Sequence, residues 1–209
     1  MTNCTFSDNS AGNEGGAILC DSSSPTVTNC IFSGNSADWS GGALFCDSSS
    51  PTVTNCIFSG NSANDEGGAI FCGGSSPSIT NCTLSDNSAN SGRAFFCIDS
   101  DVTLNNCILW DGGNEIEVLT GSAPTLNYCC VDDTGLPGDV TQNNCIYDDP
   151  QFVDAANGDY HLKDTSPCID KGDNTYISGV NEDLDGNERV VDGDNDGTAT
   201  VDIGAYEKQ

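Results

Sequence analysis

Near one end of the 209-residue chain stands Asp192-Gly193-Asp194-Asn195-Asp196-Gly197, a D-x-D-x-D-G run. Carboxylates at positions one, three and five of a tight turn can converge on one hard cation, and the glycine permits the sharp bend. The chemistry this predicts is calcium binding. The shell lacks its usual last member, because position twelve counted from Asp192 is Ile203 rather than Glu. Asp202 or Glu207 would have to close it, and Asp183-Leu184-Asp185-Gly186-Asn187 lies just upstream and could add oxygens. The candidate ligands are therefore Asp183, Asp185, Asn187, Asp192, Asp194, Asp196 and Asp202. The competing reading is a solvated acidic loop in which Asp, Asn and Gly only make Asx turns.

Charge narrows the partners. The chain carries 32 acidic and 5 basic residues, a net charge of −27. Nucleic acid and anionic membranes both require clustered Lys and Arg, so neither is expected. Cations are the natural counter-charge, although an acidic surface also simply keeps a protein soluble. Only 9 of the acidic residues lie in 1–100, against 23 in 101–209, so the second half needs its own explanation. No stretch is long and apolar enough to span a bilayer.

The first half is repetitive. Asn-Cys recurs at Asn3-Cys4, Asn29-Cys30, Asn55-Cys56 and Asn81-Cys82 with cysteine steps of 26, and Asn106-Cys107 follows after 25. Cys20, Cys46, Cys72 and Cys97 keep the same beat. A fixed period of this size marks a solenoid, whose coils bury their apolar faces only against one another. Each repeat is too short for a capped helix pair. Its β-branched and aromatic runs, separated by Asn, Gly, Ser and Pro, predict three strands and three corners. The expected fold is all-β, a parallel β-helix.

Alternation directs Val27, Val53, Ile79 and Leu104 inward, together with Cys30, Phe32, Cys56, Phe58, Cys82 and Leu84. Thr5, Ile31, Ile57 and Thr83, lying between those positions, are expected to face out. In the third strand Ile18 and Cys20 are favoured inward over Ala17 and Leu19. The Asn of each Thr-Asn-Cys tolerates the left-handed conformation and would make a bend, with its copies hydrogen-bonded along the axis. Asn9, Asn35, Asn61 and Asn87 form a second candidate ladder. Gly15-Gly16, Gly41-Gly42 and Gly67-Gly68 mark another corner, altered in the fourth copy by Arg93.

Thirteen cysteines leave at least one thiol without an intrachain partner. No C-x-x-C occurs, and His161 is the single histidine, so zinc is not indicated. Free buried thiols, disulfides within a coil such as Cys4 with Cys20, and a metal-binding thiolate row remain three readings. Adjacent Cys129 and Cys130 should point to opposite faces, leaving one exposed or paired elsewhere.

Beyond Cys107 the repeat degrades, and from about Asp148 the text changes to Pro- and Gly-punctuated turns. Residues 1–147 are assigned to the coils and 148–209 to an acidic cap of the same domain, covering an end of the stack. The chain starts in mid-repeat without a signal peptide, which reads as a piece of a longer secreted protein.

The repeats resemble those of bacterial right-handed β-helix surface proteins, the pectate-lyase-like architecture also seen in polymorphic outer membrane protein repeats. The tail, through DDPQFVDAANGDYHL, SPCIDKGDN, DLDGNERVVDGDNDG and VDIGAYE, resembles the choice-of-anchor Q domain of secreted bacterial proteins. The resemblance implies a right-handed coil, export and attachment to a surface, and no single activity. β-Helix polysaccharide lyases use a basic residue beside calcium, and only Arg93, Arg189, Lys163, Lys171 and Lys208 are available. Paired carboxylates for glycosidase chemistry could come from Asp38, Asp65, Glu66 and Asp86, all in variable loops. Trp39 and Trp110 could stack on sugars. The expected role is an extracellular structural or adhesive module stabilised by calcium, its open N-terminal coil stacking on another β-helix chain. The alternative is a carbohydrate-active or glycan-binding β-helix whose partner is a polysaccharide.

Overall fold

The computed structural model describes residues 1–177 and 179–209. The chain winds into a parallel β-solenoid of about five coils, about 26 residues apart. Three long parallel sheets form its walls, and a short fourth joins Ser10–Ala11, Ser36–Ala37 and Ser62–Ala63. A valine sheet joins Thr26–Thr28, Thr52–Thr54, Ser78–Thr80, Thr103–Asn105, Thr125–Asn127 and Thr141–Asn143. A phenylalanine sheet joins Thr5–Ser7, Ile31–Ser33, Ile57–Ser59, Thr83–Ser85, Ile108–Trp110 and Cys130–Val131. A cysteine sheet joins Ile18–Asp21, Leu44–Asp47, Ile70–Gly73, Phe95–Ile98 and Ile116–Val118. The register is that of the repeat: Val27 pairs with Val53, Phe32 with Phe58, and Cys46 with both Cys20 and Cys72.

In-register stacking puts like on like, and this builds the core. Val27, Val53, Ile79, Leu104, Phe32, Phe58 and Leu84 are all buried. Phe32 lies 4.9 Å from Phe6 and 4.6 Å from Phe58, ring over ring. Each fully buried side chain of this kind contributes about 1.5–3 kcal/mol. Leu44, Ile70 and Phe95 face inward with the cysteine column, while Leu19 is exposed, as favoured from the alternation. All thirteen cysteines are free thiols. Their sulfurs hydrogen-bond within the stack: Cys56 Sγ accepts from the Cys30 amide at 3.4 Å and donates to the Thr54 carbonyl at 3.2 Å.

The corners are held by residues that accept unusual backbone angles. Asn29, Asn55, Asn81 and Asn106 all have φ of 50–51°. The second glycine of each Gly-Gly answers to close approach: a Cβ on Gly42 would meet the Gly68 carbonyl oxygen at 2.1 Å. Arg93 fits at the equivalent place in the fourth copy, where its guanidinium donates to the Asp111 and Gly112 carbonyls at 2.8 and 3.3 Å.

One expected asparagine ladder forms and the other does not. Asn9, Asn35 and Asn61 each donate Nδ2 to the Oδ1 of the next coil's asparagine at 2.8–2.9 Å, and Asn87 passes the chain to Asp111. The bend asparagines make no such axial bonds among the described residues, because two of them turn sideways. Asn55 Nδ2 donates to the Glu182 carbonyl at 2.6 Å, and Asn106 exchanges hydrogen bonds with the Asp173 backbone. A serine ladder that the sequence reading missed runs up the third corner, where the amides of Ser23, Ser49, Ser75 and Ser100 each donate to the Oγ one coil on.

Segment 148–209 lies along the flank of the stack rather than over its end. It packs Phe152, Tyr160, Leu162, Cys168, Ile169, Ile203 and Ala205 on the outer face of the phenylalanine sheet, against Ile57, Ile108 and Cys130. Ile57 and Thr83 do point out of the coil, yet they are buried under this second core. Cys130 is buried there too, while its neighbour Cys129 faces the coil interior, so neither is exposed. The Ala205 amide donates to Thr83 Oγ1 at 3.1 Å, and Gly204 approaches so closely that a Cβ would stand 2.8 Å from Ile108 Cδ1. At the end of the stack itself, Val140 and half-buried Leu136 pack against the core, and exposed Gln142 takes the register position of Leu126.

Candidate metal centre and its surroundings

The flank segment gathers the acidic residues into two separate groups. The first is a carboxylate cluster of Asp170, Asp192 and Asp194, each offering an oxygen within 4.8 Å of the others. One calcium with ligands at about 2.3–2.6 Å spans such a set, since opposed ligands lie about 5 Å apart. The loop is built by its own Asx turns. Asp192 Oδ1 and Asp194 Oδ1 both accept the Asp196 amide at 3.0 Å, and Asp192 Oδ2 accepts the Gly197 amide at 3.0 Å. Asp170, at φ 54°, reaches in from the turn after Ile169 and its Oδ2 accepts the Asp194 amide at 2.7 Å. Its Oδ1 is shut off from solvent and has no hydrogen-bond partner among the described residues. Burial and the Asp194 and Asp192 charges push the Asp170 carboxyl up from its ordinary value. Lys171 Nζ stands 3.5 Å from Asp194 Oδ2 and relieves part of that repulsion.

The second group surrounds a buried guanidinium. Arg189 is fully buried and donates Nη1 to the Ala205 carbonyl at 2.9 Å and Nη2 to that of Gly204. Its Nε lies 3.8 Å from Glu207 Oε2. Asp183 and Asp202, both fully buried, complete the ring of charge. Asp183 accepts the amides of Asp185, Asn187 and Glu207, and Asp202 those of Asp170 and Lys208. Three carboxyl groups exceed one guanidinium, so the excess must be protonated or widely hydrogen-bonded. Burial and Asp202 raise Glu207 to about 9 against the pull of Arg189, and burial raises Asp202 to about 6.

Of the seven ligands expected from sequence, the structure therefore brings together Asp192 and Asp194. Asp196 is exposed at the loop tip, its Oδ1 accepting the Thr198 amide. Asp183 and Asp202 belong to the arginine cluster, and Asn187 donates its amides to Asp183. Asp185 pairs with His161 Nε2 at 2.9 Å, while Asp159 holds Nδ1 at 2.6 Å and Tyr206 stacks on the ring at 3.9 Å. Burial opposes charge on His161, but the two aspartates outweigh it and raise its pKa. Asp170 was missed, its only signal being an Asp closing Ser-Pro-Cys-Ile, 22 residues before the loop it joins.

Comparison with known proteins agrees with the coil. A family model described as a right handed beta helix region matches residues 1–92. The chain is a parallel β-solenoid, and its first 92 residues are similar to right-handed β-helix regions. No curated protein and no solved structure matches the chain.

Proposed function

We propose that this β-helix protein is an extracellular or cell-surface structural module of adhesive type, stabilised by calcium held at Asp170, Asp192 and Asp194. The observation that carries the calcium reading is the buried Oδ1 of Asp170, unpartnered beside two further carboxylates. A cation is the group that would satisfy it and offset the repulsion within the cluster. A partly exposed site with only three carboxylates belongs with weak calcium modules, whose affinities of about 10⁻⁴–10⁻³ M suit extracellular calcium. The rigid coil with variable corner loops supports a role in presenting surface rather than in turnover. Arg189, a candidate lyase base, is walled in by backbone carbonyls and carboxylates.

Melting with and without chelator tests this. Calcium is expected to raise the midpoint, and Asp170→Asn to abolish most of that gain. A midpoint indifferent to both calcium and chelator would sink the calcium reading.

A further inference from the structure

We propose that the corner groove beside Trp39 binds a neutral oligosaccharide. The inference rests on the coil serving as a display scaffold and is independent of calcium. The groove, about 480 Å³, is lined by Trp39, Ser40, Asp65, Glu66, Asn90 and Ser91, within the range of about 300–1,000 Å³ typical of ligand sites. Three consecutive coils build it.

Trp39 is 60% exposed, the most exposed large hydrophobic side chain of the coil. Its backbone is nonetheless fixed: the amide donates to the Asn13 carbonyl at 2.9 Å, and its own carbonyl accepts the Asp65 and Glu66 amides at 3.0 and 3.3 Å. The ring is thus an apolar plate on a rigid mount, with little conformational freedom to lose on binding. A single exposed aromatic means little by itself. Here internal comparison adds to it. The first three copies agree on Asn-Ser-Ala before this corner and Gly-Gly-Ala after it. Between those anchors they read Gly12-Asn13-Glu14, Asp38-Trp39-Ser40 and Asn64-Asp65-Glu66. A corner needed only for stacking could repeat one triplet, as the flanking residues do. Within this corner the divergence falls on the triplet, whose first two positions are exposed in every copy, as a displayed surface requires.

The groups present select the ligand class. An indole face packs against the C–H face of a sugar ring, burying apolar area on both. The Asp65 and Glu66 carboxylates beside it accept hydroxyl donors in charge-assisted bonds, and Asn90, Ser40 and Ser91 supply neutral donors and acceptors. Ser40 Oγ already reaches Glu66 Oε2 at 3.3 Å, which steadies that carboxylate. A polyuronate would meet like charge both here and across a chain of net charge −27, so an acidic sugar is disfavoured relative to a neutral one.

The test uses the full chain carrying Trp110→Phe, which leaves Trp39 as the sole indole. It is titrated with neutral hexasaccharides of β-glucan, xylan and mannan, and with hexagalacturonate as the charged control. At least one neutral hexasaccharide is expected to shift the Trp39 emission and saturate with a Kd of about 1 mM or tighter. In calorimetry Trp39→Ala is expected to weaken binding at least about tenfold, Trp39→Phe to retain part of it, and Asp65→Asn with Glu66→Gln to weaken it several-fold, all with unchanged melting. Silence from every neutral hexasaccharide, equal binding by Trp39→Ala, or binding of hexagalacturonate as tight as that of the neutral ligands overturns the assignment. Capture of a protein partner alone, with all sugars silent, overturns it as well. Chelator leaves the titration unchanged on this account, so a silent groove with a calcium-sensitive melt removes the sugar site alone. Sugar binding with a calcium-insensitive melt removes the calcium site alone.

Discussion

Replacing Asn61 by Ala isolates what the asparagine ladder contributes. Asn61 is fully buried. Its Oδ1 accepts both the Asn35 amide at 3.0 Å and Asn35 Nδ2 at 2.9 Å, and its Nδ2 donates to the Phe32 carbonyl at 3.0 Å and to Asn87 Oδ1 at 2.9 Å. Asn87 Oδ1 keeps a second donor, the Asn61 backbone amide, and the Phe32 carbonyl keeps its place in the ladder with Ile57–Ser59, so truncation strands two groups: the Asn35 amide and one Asn35 side-chain hydrogen. Each buried orphan costs about 1–3 kcal/mol, and partial rescue by water brings the total to roughly 2–5 kcal/mol. In a chain of this length that is a fall in Tm of about 4–20 °C. Asn55→Gly is the control. It keeps the left-handed angle and loses one bond to Glu182, costing about 1–2 kcal/mol with the added backbone entropy. Urea titrations followed by far-UV circular dichroism measure both. An Asn61→Ala protein within about 1 kcal/mol of the parent, or an Asn55→Gly protein equally damaged, would show that the ladder is ornamental.

Other expectations concern the flank and the thiols. Glu207 is raised from 4.5 to about 9 by burial and Asp202, so the folded state keeps its proton longer than the unfolded chain. Its contribution is full at low pH and fades as pH rises through that window, and Glu207→Gln should flatten the decline seen in stability measured between pH 5 and 9. Arg189→Met leaves Asp183 and Asp202 without their cation, costing about 3–5 kcal/mol. Limited proteolysis should then cut within 148–209 while the coil's circular dichroism persists, and a tail as protected as the parent's would contradict the arrangement. Thiol titration in the native state should detect quickly at most Cys4 and Cys145, the two half-buried thiols, and all thirteen in denaturant. Fewer than thirteen without reductant would reveal disulfides.

What repeats was legible, and what occurs once was not. Val27, Val53 and Ile79 announce their orientation because each copy restates it, and Asn29, Asn55 and Asn81 restate the bend. The flank offered no second copy to compare. Thr83 and Ala205 meet across 122 residues, and nothing local in Thr83 marks it as covered. Nothing in the sequence marks Arg189 as buried, because burying a guanidinium needs carboxylates drawn from Asp183, Asp202 and Glu207, whose convergence only the fold reveals. The same is true of the candidate site. The D-x-D-x-D-G loop was readable as an oxygen-rich turn, but its third carboxylate comes from another turn, and four neighbouring acids serve Arg189 or His161 instead.

The sideways contacts of the flank segment make the molecule extendable in one direction only. Copies one to three are close to interchangeable, so the stack alone cannot count its own coils. The flank can, because it engages individual rungs: Asn55 through Glu182, Thr83 through Ala205, Asn106 through Asp173. Duplicating or deleting a 26-residue unit ahead of Asn55 would lengthen or shorten the rod by one strand spacing, about 4.8 Å, without disturbing any of these attachments. The same change between Asn55 and Asn106 would shear them apart. Rod length is thus free to vary at one end while the other is keyed to a fixed set of rungs, which is how a lineage could tune reach without redesigning its fold.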